Sequence, residues 1–161
     1  MEITLNDLTI NPEGVDIDAL LQDWSWAMPE PMSPVLLTAL GDVFAEGNTG
    51  AIYFVDVIEG HIRMVAEDRA AFEESLSDAE FVTDYFFPAR VVELRNAGIV
   101  LEASQVYCHQ QPLVLGGNDE LDNYEASDVS DYISIQGQIH EQVKDLPDGT
   151  VISNVEFEDP E

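Results

Sequence analysis

Carboxylates outnumber cationic side chains 33 to 5 in this 161-residue chain, giving a formal net charge of −28. A carboxylate buried without a partner is too costly to be common, so most of these groups must lie at the surface. With so few Lys and Arg, few of them can find a salt-bridge partner within the chain. The folded molecule therefore repels itself and carries a strong negative field. About 45% of the residues are apolar, which still leaves material for a real core. The length suits one domain, residues 1–161. A free nucleic acid backbone and an anionic membrane surface would both be repelled. Basic proteins, basic peptides and cations would be attracted. Plain solubility and a halophilic origin are the bland accounts of the same charge.

The single Cys108 cannot form an internal disulfide, which suits a reducing compartment. The first residues, Met1 to Asp7, show neither a basic segment nor an apolar segment of a signal peptide. No apolar run approaches the ~18 residues of a membrane span. The sequence thus predicts a cytoplasmic protein that binds neither nucleic acid nor membrane.

Periodicity predicts an amphipathic helix over 14–24, with Val15, Leu20, Leu21 and Trp24 on one face. Pro29, Pro31 and Pro34 predict a loop over 27–34. From Val35 to Ala66 the texture is that of strands. A turn falls at Glu46–Gly50 and another at Glu59-Gly60, as in a meander of two hairpins. Asp68 reads as an N-cap, followed by helices to about Ser77, over 78–86, and from Pro88 to Gly98. Residues 100–110 read partly as strand. Ile135, Ile139, Val143 and Leu146 predict a helix over 134–146, stopped by Pro147-Asp148-Gly149. The acidic tail, 151–161, should fray beyond one last strand. Strands first and helices after predict an α+β fold, mostly an antiparallel sheet with flanking helices. Trp24, Val35, Leu37, Phe44, Phe54, Phe72, Val91, Leu94, Ile135, Ile139 and Val143 form the expected core, as one cluster.

Catalytic patterns fail on inspection. His140-Glu141 starts a zinc-protease helix motif, but position 144 is Lys144 rather than His. Cys108 and His109 are neighbours on a strand and point to opposite faces, so they cannot converge. Cys108 reads as a small buried apolar group. The Asp-rich segment lacks the offsets of a calcium loop. No basic residue stands near Gly116-Gly117 to hold a phosphate. No catalytic residue, metal site or cofactor is predicted, and the chain reads as a non-enzyme.

What stands out is the segment from Asn118 to Asp131. It carries Asp119, Glu120, Asp122, Glu125, Asp128 and Asp131, and no Lys or Arg occurs between Arg95 and Lys144. The bland account is a solvated loop. The functional account is an electrostatic contact surface whose carboxylates stand where DNA phosphates would lie on a basic partner. Tyr124 and Tyr132 are interleaved, and Tyr is a usual anchor of interfaces. Glu46 to Thr49, with Glu46 and Asn48, is a candidate second contact.

Two stretches resemble the cytoplasmic immunity proteins that protect bacteria from type VI secretion DNase toxins. One is Met28 to Phe44, MPEPMSPVLLTALGDVF. The other runs from Pro112–Gly117, PLVLGG, to Gly137–Gly149, GQIHEQVKDLPDG. The family pairs a GAD-like region with an immunity C-terminal region, and the resemblance covers about 24–150. Gln110 stands where the family carries a Lys. The resemblance implies a partner encoded by the adjacent gene: a nuclease effector toxin with a basic C-terminal domain, neutralised by tight stoichiometric binding. The contact residues are inferred from charge rather than carried over: Asp119, Glu120, Asp122, Tyr124, Glu125, Asp128, Asp131, Glu46 and Asn48. The competing expectation is an acidic regulatory or scaffold protein that binds another basic partner.

Overall fold

The computed structural model describes residues 3–146. The expected stop at Pro147–Gly149 and the acidic tail lie outside the described residues. An antiparallel meander of four strands forms the centre: β1 (Met32–Leu37), β2 (Val43–Gly47), β3 (Ile52–Asp56) and β4 (His61–Ala66), in that spatial order. Three helices follow, α1 (Arg69–Ser75), α2 (Ala79–Phe86) and α3 (Pro88–Asn96). A two-stranded hairpin, β5 (Gln105–His109) with β6 (Tyr124–Asp128), leads into α4 (Val129–Val143). The fold is α+β, as the order of elements predicts.

The apolar runs of β2 and β3 alternate strictly, yet both faces are buried, so the sheet is the middle layer. Phe44, Ile52 and Phe54 face α1–α3. There Phe44 meets Phe54, Phe72 and Phe86 at ring separations of 5.1, 4.9 and 5.3 Å. Val43, Ala45, Val55 and Val57 face the other way, toward Trp24, Val129 and Ile133. β5 divides its side chains between these two clusters: Tyr107 joins the first, Val106 and Cys108 the second. The core is thus two clusters separated by the sheet, rather than one.

Local signals place the helices well. Asp68 accepts from Ala71 N at 2.8 Å and Asp78 from Glu80 N at 2.9 Å, and Pro88 opens α3. Elsewhere the structure corrects the expectations. Residues 14–24 do not form an α-helix. They fold as successive i→i+3 turns ending in a 3-10 helix, Gln22–Ala27, which still buries Leu20, Leu21 and Trp24. Pro34 lies inside β1 rather than in a loop. That strand is at the sheet edge, where a missing N–H is tolerated, and its register slips between Pro34 and Leu36. The stretch from Val35 to Phe44 is two strands joined by a tight turn at 38–42. Val35 is only partly buried.

The last helix starts earlier than its apolar spacing suggests. Ile135 is 40% exposed, and Val143 is only partly buried. The buried side instead carries Val129, Tyr132, Ile133, Gln136, Ile139 and His140. Polar residues line it because it packs on backbone. Trp24 Nε1 donates to Ile133 O at 2.9 Å. A Cβ on Gly137 would stand 2.6 Å from Asp23 O, so only glycine permits this approach.

Candidate functional site

The β3–β4 connection is built around Val57, the first residue past β3. Its N–H donates to Asp42 Oδ1 at 3.1 Å. Its carbonyl accepts from Gln136 Nε2 at 2.7 Å and from His140 Nε2 at 3.1 Å. Both backbone polar groups of one buried residue are thereby satisfied by side chains, as burial requires. Gly60 closes the turn at φ +82°, and a Cβ there would run into the His140 ring. Asp56 Oδ1 accepts from Glu59 N at 2.9 Å. The turn bearing Asp56, Ile58 and Glu59 is therefore held rigidly from two sides.

Across from this turn stands the junction of α2 and α3. Phe87 ends one helix and starts the next with φ +51°, a left-handed conformation unusual for a bulky side chain. The backbone turn leaves its ring 41% exposed. One turn along α3, Arg90 Nη2 reaches Asp119 O and Oδ2, each at 3.1 Å, with the guanidinium 5.6 Å from the Tyr124 ring centre. Asp119 Oδ1 also accepts from Tyr124 OH at 2.5 Å and lies 2.8 Å from His109 Nε2. Burial works to raise the Asp119 carboxyl. Bonds from Tyr124 and His109 and the Arg90 charge outweigh it and hold the group below the usual carboxylate range. Burial, helped by Asp119, pushes the Tyr124 phenol up.

Between these walls lies a cleft of about 210 Å³, lined by Leu40, Asp42, Asp56, Ile58, Glu59, Phe87, Arg90, Leu113, Asp119 and Tyr124. Asp42 is 1% exposed. Burial, and then the charge of Asp56, pushes its carboxyl well above the usual range against the Val57 N–H and Arg63. Arg63 Nη1 comes only to 4.0 Å of Asp56 Oδ2, because its guanidinium lies over Phe54 and Tyr85.

The structure sorts the sequence candidates. Asp119 and Tyr124 line the cleft, but Tyr124 is buried, so it supports the wall rather than offering an exposed anchor. Asp119 is not free of compensating charge, since Arg90 reaches it from another element. Glu120, Asp122 and Glu125 are exposed beside it. Asp128 caps α4 by accepting from Asp131 N at 3.1 Å, and Asp131 lies in that helix's first turn, where negative charge is favoured. The stretch is not a weakly structured loop. Asn123 ties it to Gln111 O and Asn118 O, and Tyr124–Asp128 pairs with β5. Glu46 and Asn48 are not brought near it. The register places them at the far end of the sheet, with Met32↔Gly47 and Glu46↔Ile52 there and Asp56↔His61 at the cleft end. Glu46 is paired with Arg69 at 3.2 Å.

Asp42, Asp56, Glu59, Phe87 and Leu113 escaped the sequence reading. A lone carboxyl inside the apolar run 35–44, and a Phe-Phe-Pro at a helix break, were the available signals. Cys108 is buried, and burial holds its thiol up at about 12. Among the described residues no group of three or more His, Cys, Asp or Glu is placed to hold a metal ion. Nor is any helix there long and apolar enough to cross a membrane.

Residues 66–140 match the model of a family described as T6SS immunity protein Tdi1, C-terminal. No curated protein matches the chain. Among solved structures, the crystal structure of Atu4351 from Agrobacterium tumefaciens is similar in fold. The match covers 81% of this chain and 65% of that one, with a TM-score of 0.54 and 16% identity. This chain therefore spans less than two thirds of that structure's length. The cleft lies on the seam of the family match: Phe87, Arg90, Leu113, Asp119 and Tyr124 fall within it, and Leu40, Asp42, Asp56, Ile58 and Glu59 precede it.

Proposed function

We propose that this chain, whose residues 66–140 match the T6SS immunity protein Tdi1 C-terminal family, is a cytoplasmic immunity protein. It binds a cognate type VI effector toxin, encoded by the adjacent gene, and neutralises it stoichiometrically without catalysis. The observation that carries this reading is the family match. The net charge of −28 supports a nuclease as the target. A nuclease must be basic around its active site to hold DNA, and an acidic inhibitor is steered toward it. The contact face is the acidic end of the molecule, with Glu59, Glu120, Asp122 and Glu125 exposed. Asp119, Asp128 and Asp131 contribute field while also serving local structure. Tyr124 acts from within the wall.

The test is co-expression with the adjacent toxin gene, then co-purification, cell survival and association kinetics at two salt concentrations. Neutralising Glu120, Asp122 and Glu125 to Gln or Asn should slow association several-fold at low salt and flatten its salt dependence. A wild-type protein that neither co-purifies with the toxin nor protects cells would sink the reading.

A further inference from the structure

We propose that the cleft between Phe87, Glu59 and Asp119 receives one cationic side chain of the toxin, with Asp42 beneath it; this rests on the immunity reading. A volume of about 210 Å³ is below the ~300–1,000 Å³ of small-molecule sites and suits a single side chain. The lining carries Asp42, Asp56, Glu59 and Asp119 against one cation, Arg90. That cation is already committed to Asp119.

Asp42 gives the independent indication. It is almost wholly buried and lines the cleft, and only its Oδ1 is used, by Val57 N. No hydrogen bond from a described residue reaches its Oδ2. Behind it, the Tyr132 hydroxyl also has no partner among the described residues, and Asp42 is the charge that bears on it most. An oxygen left open beside a cavity invites a donor, and a cation placed there favours the ionised form of the Asp42 carboxyl. An anion is excluded by the surrounding carboxylates, and a neutral group would leave their charge uncompensated.

The chain's own Arg90 shows what the wall accepts, since it meets a carboxylate while lying over the Tyr124 ring. Phe87 offers a second, exposed ring at the rim, and a cation over an aromatic face is attracted by its quadrupole. A planar guanidinium can span two carboxylates and stack at once. The rigid turn at Val57 means that little ordering is needed on binding.

Two measurements test this. The full chain, isotope-labelled, is titrated with N-acetyl-arginine amide, its neutral citrulline counterpart and magnesium chloride at constant ionic strength. Saturable shifts of the Glu59, Phe87 and Asp119 amides with the arginine compound alone are expected. Equal shifts with citrulline, stronger shifts with magnesium, or none at all would overturn the proposal. In the second measurement, Phe87→Ala, Phe87→Gly and Glu59→Gln are each bound to the toxin. Phe87→Gly suits the left-handed backbone and so separates loss of the ring from misfolding. Dissociation at least tenfold faster is expected for each, and an unchanged rate for Glu73→Gln on α1. If wild type binds and these variants leave at its rate, the cleft proposal falls and the immunity reading stands. If wild type does not bind the toxin, the immunity reading falls and the named occupant with it, while the titration still decides whether the cleft takes a cation.

Discussion

The two ends of the meander both carry carboxylates and use them oppositely. At the Gly47–Ala51 end, Glu30 accepts from Tyr53 OH at 2.7 Å, from Thr49 Oγ1 at 2.7 Å and from Thr49 N at 2.8 Å. These bonds, Tyr53 first, hold its carboxyl below the usual range. Glu46 there has Arg69. At the other end, Asp42, Asp56, Glu59 and Asp119 share Arg90 and a distant Arg63. A paired carboxylate fastens a turn, and an under-paired one beside a cavity seeks a partner from outside. Composition alone does not distinguish these two uses.

The largest expected effect comes from glycines at the two ends. A Cβ on Gly60 would meet the buried His140 ring, and the residue sits at φ +82°. Gly60→Ala should cost about 3 kcal/mol by urea unfolding, combining overpacking with left-handed strain. A Cβ on Gly47 would instead meet the Glu30 carboxylate at 2.5 to 2.8 Å, the far end of a flexible side chain. Gly47→Ala should lose less than half as much. Equal losses would mean that the Glu30 end is as rigid as the cleft end, which breaks the contrast.

Asp42 sharpens it next. Its carboxyl is raised in the folded protein, so the native state keeps a proton that the unfolded chain has already released. Stability from this group is therefore full below the unfolded value of 3.8 and is lost as pH rises toward the native value. The slope can reach about 1.4 kcal/mol per pH unit. Asp56, Glu59, Arg63, Arg90, Asp119 and Tyr132 face this region, and Asp119, whose carboxyl is lowered, gives a dependence of the opposite sign. Asp42→Asn should flatten the decline that sets in as pH rises above 3.8. An unchanged slope would mean that the buried carboxyl is not the group responsible.

A weaker effect of opposite sign belongs to His140. Burial lowers its ring from the ordinary value of 6.5, so the native state resists a proton that the unfolded chain accepts. Stability is complete above about pH 6.5 and declines as pH falls below it. His140→Gln should remove that acid-side decline. If the variant leaves it in place, another group titrates there.

The smallest effects belong to the paired end. Glu30→Gln should lower the melting temperature slightly, and Glu46→Gln should leave it within experimental scatter, because an exposed pair contributes little. A loss at Glu46 comparable to that of Gly60→Ala would show that the far end is structural in a way its exposure does not suggest.

Much of the fold was legible because its causes are local. Asp68, Asp78 and Pro88 act within a turn of their own helices, and the alternation of β2 and β3 is written in neighbouring residues. The 14–24 segment misled because its apolar spacing suits any tight right-handed coil. Ile139 is buried as its spacing predicts, but Ile135 and Val143 misled because α4 is buried against backbone, where Gly137, Gln136 and His140 serve better than aliphatic side chains.

The negative field, the α+β order and the helix starts at Asp68, Asp78 and Pro88 follow from composition or from residues a few positions apart. Which carboxylates are paired depends instead on how distant segments pack. Asp42 and Asp56 meet Asp119 because the sheet packs one end against the α2–α3 junction and the β5–β6 hairpin. The same packing gives Asp119 its Arg90 and Glu46 its Arg69. A charge's role depends on the burial and partners that distant segments bring to it, and no local pattern encodes that.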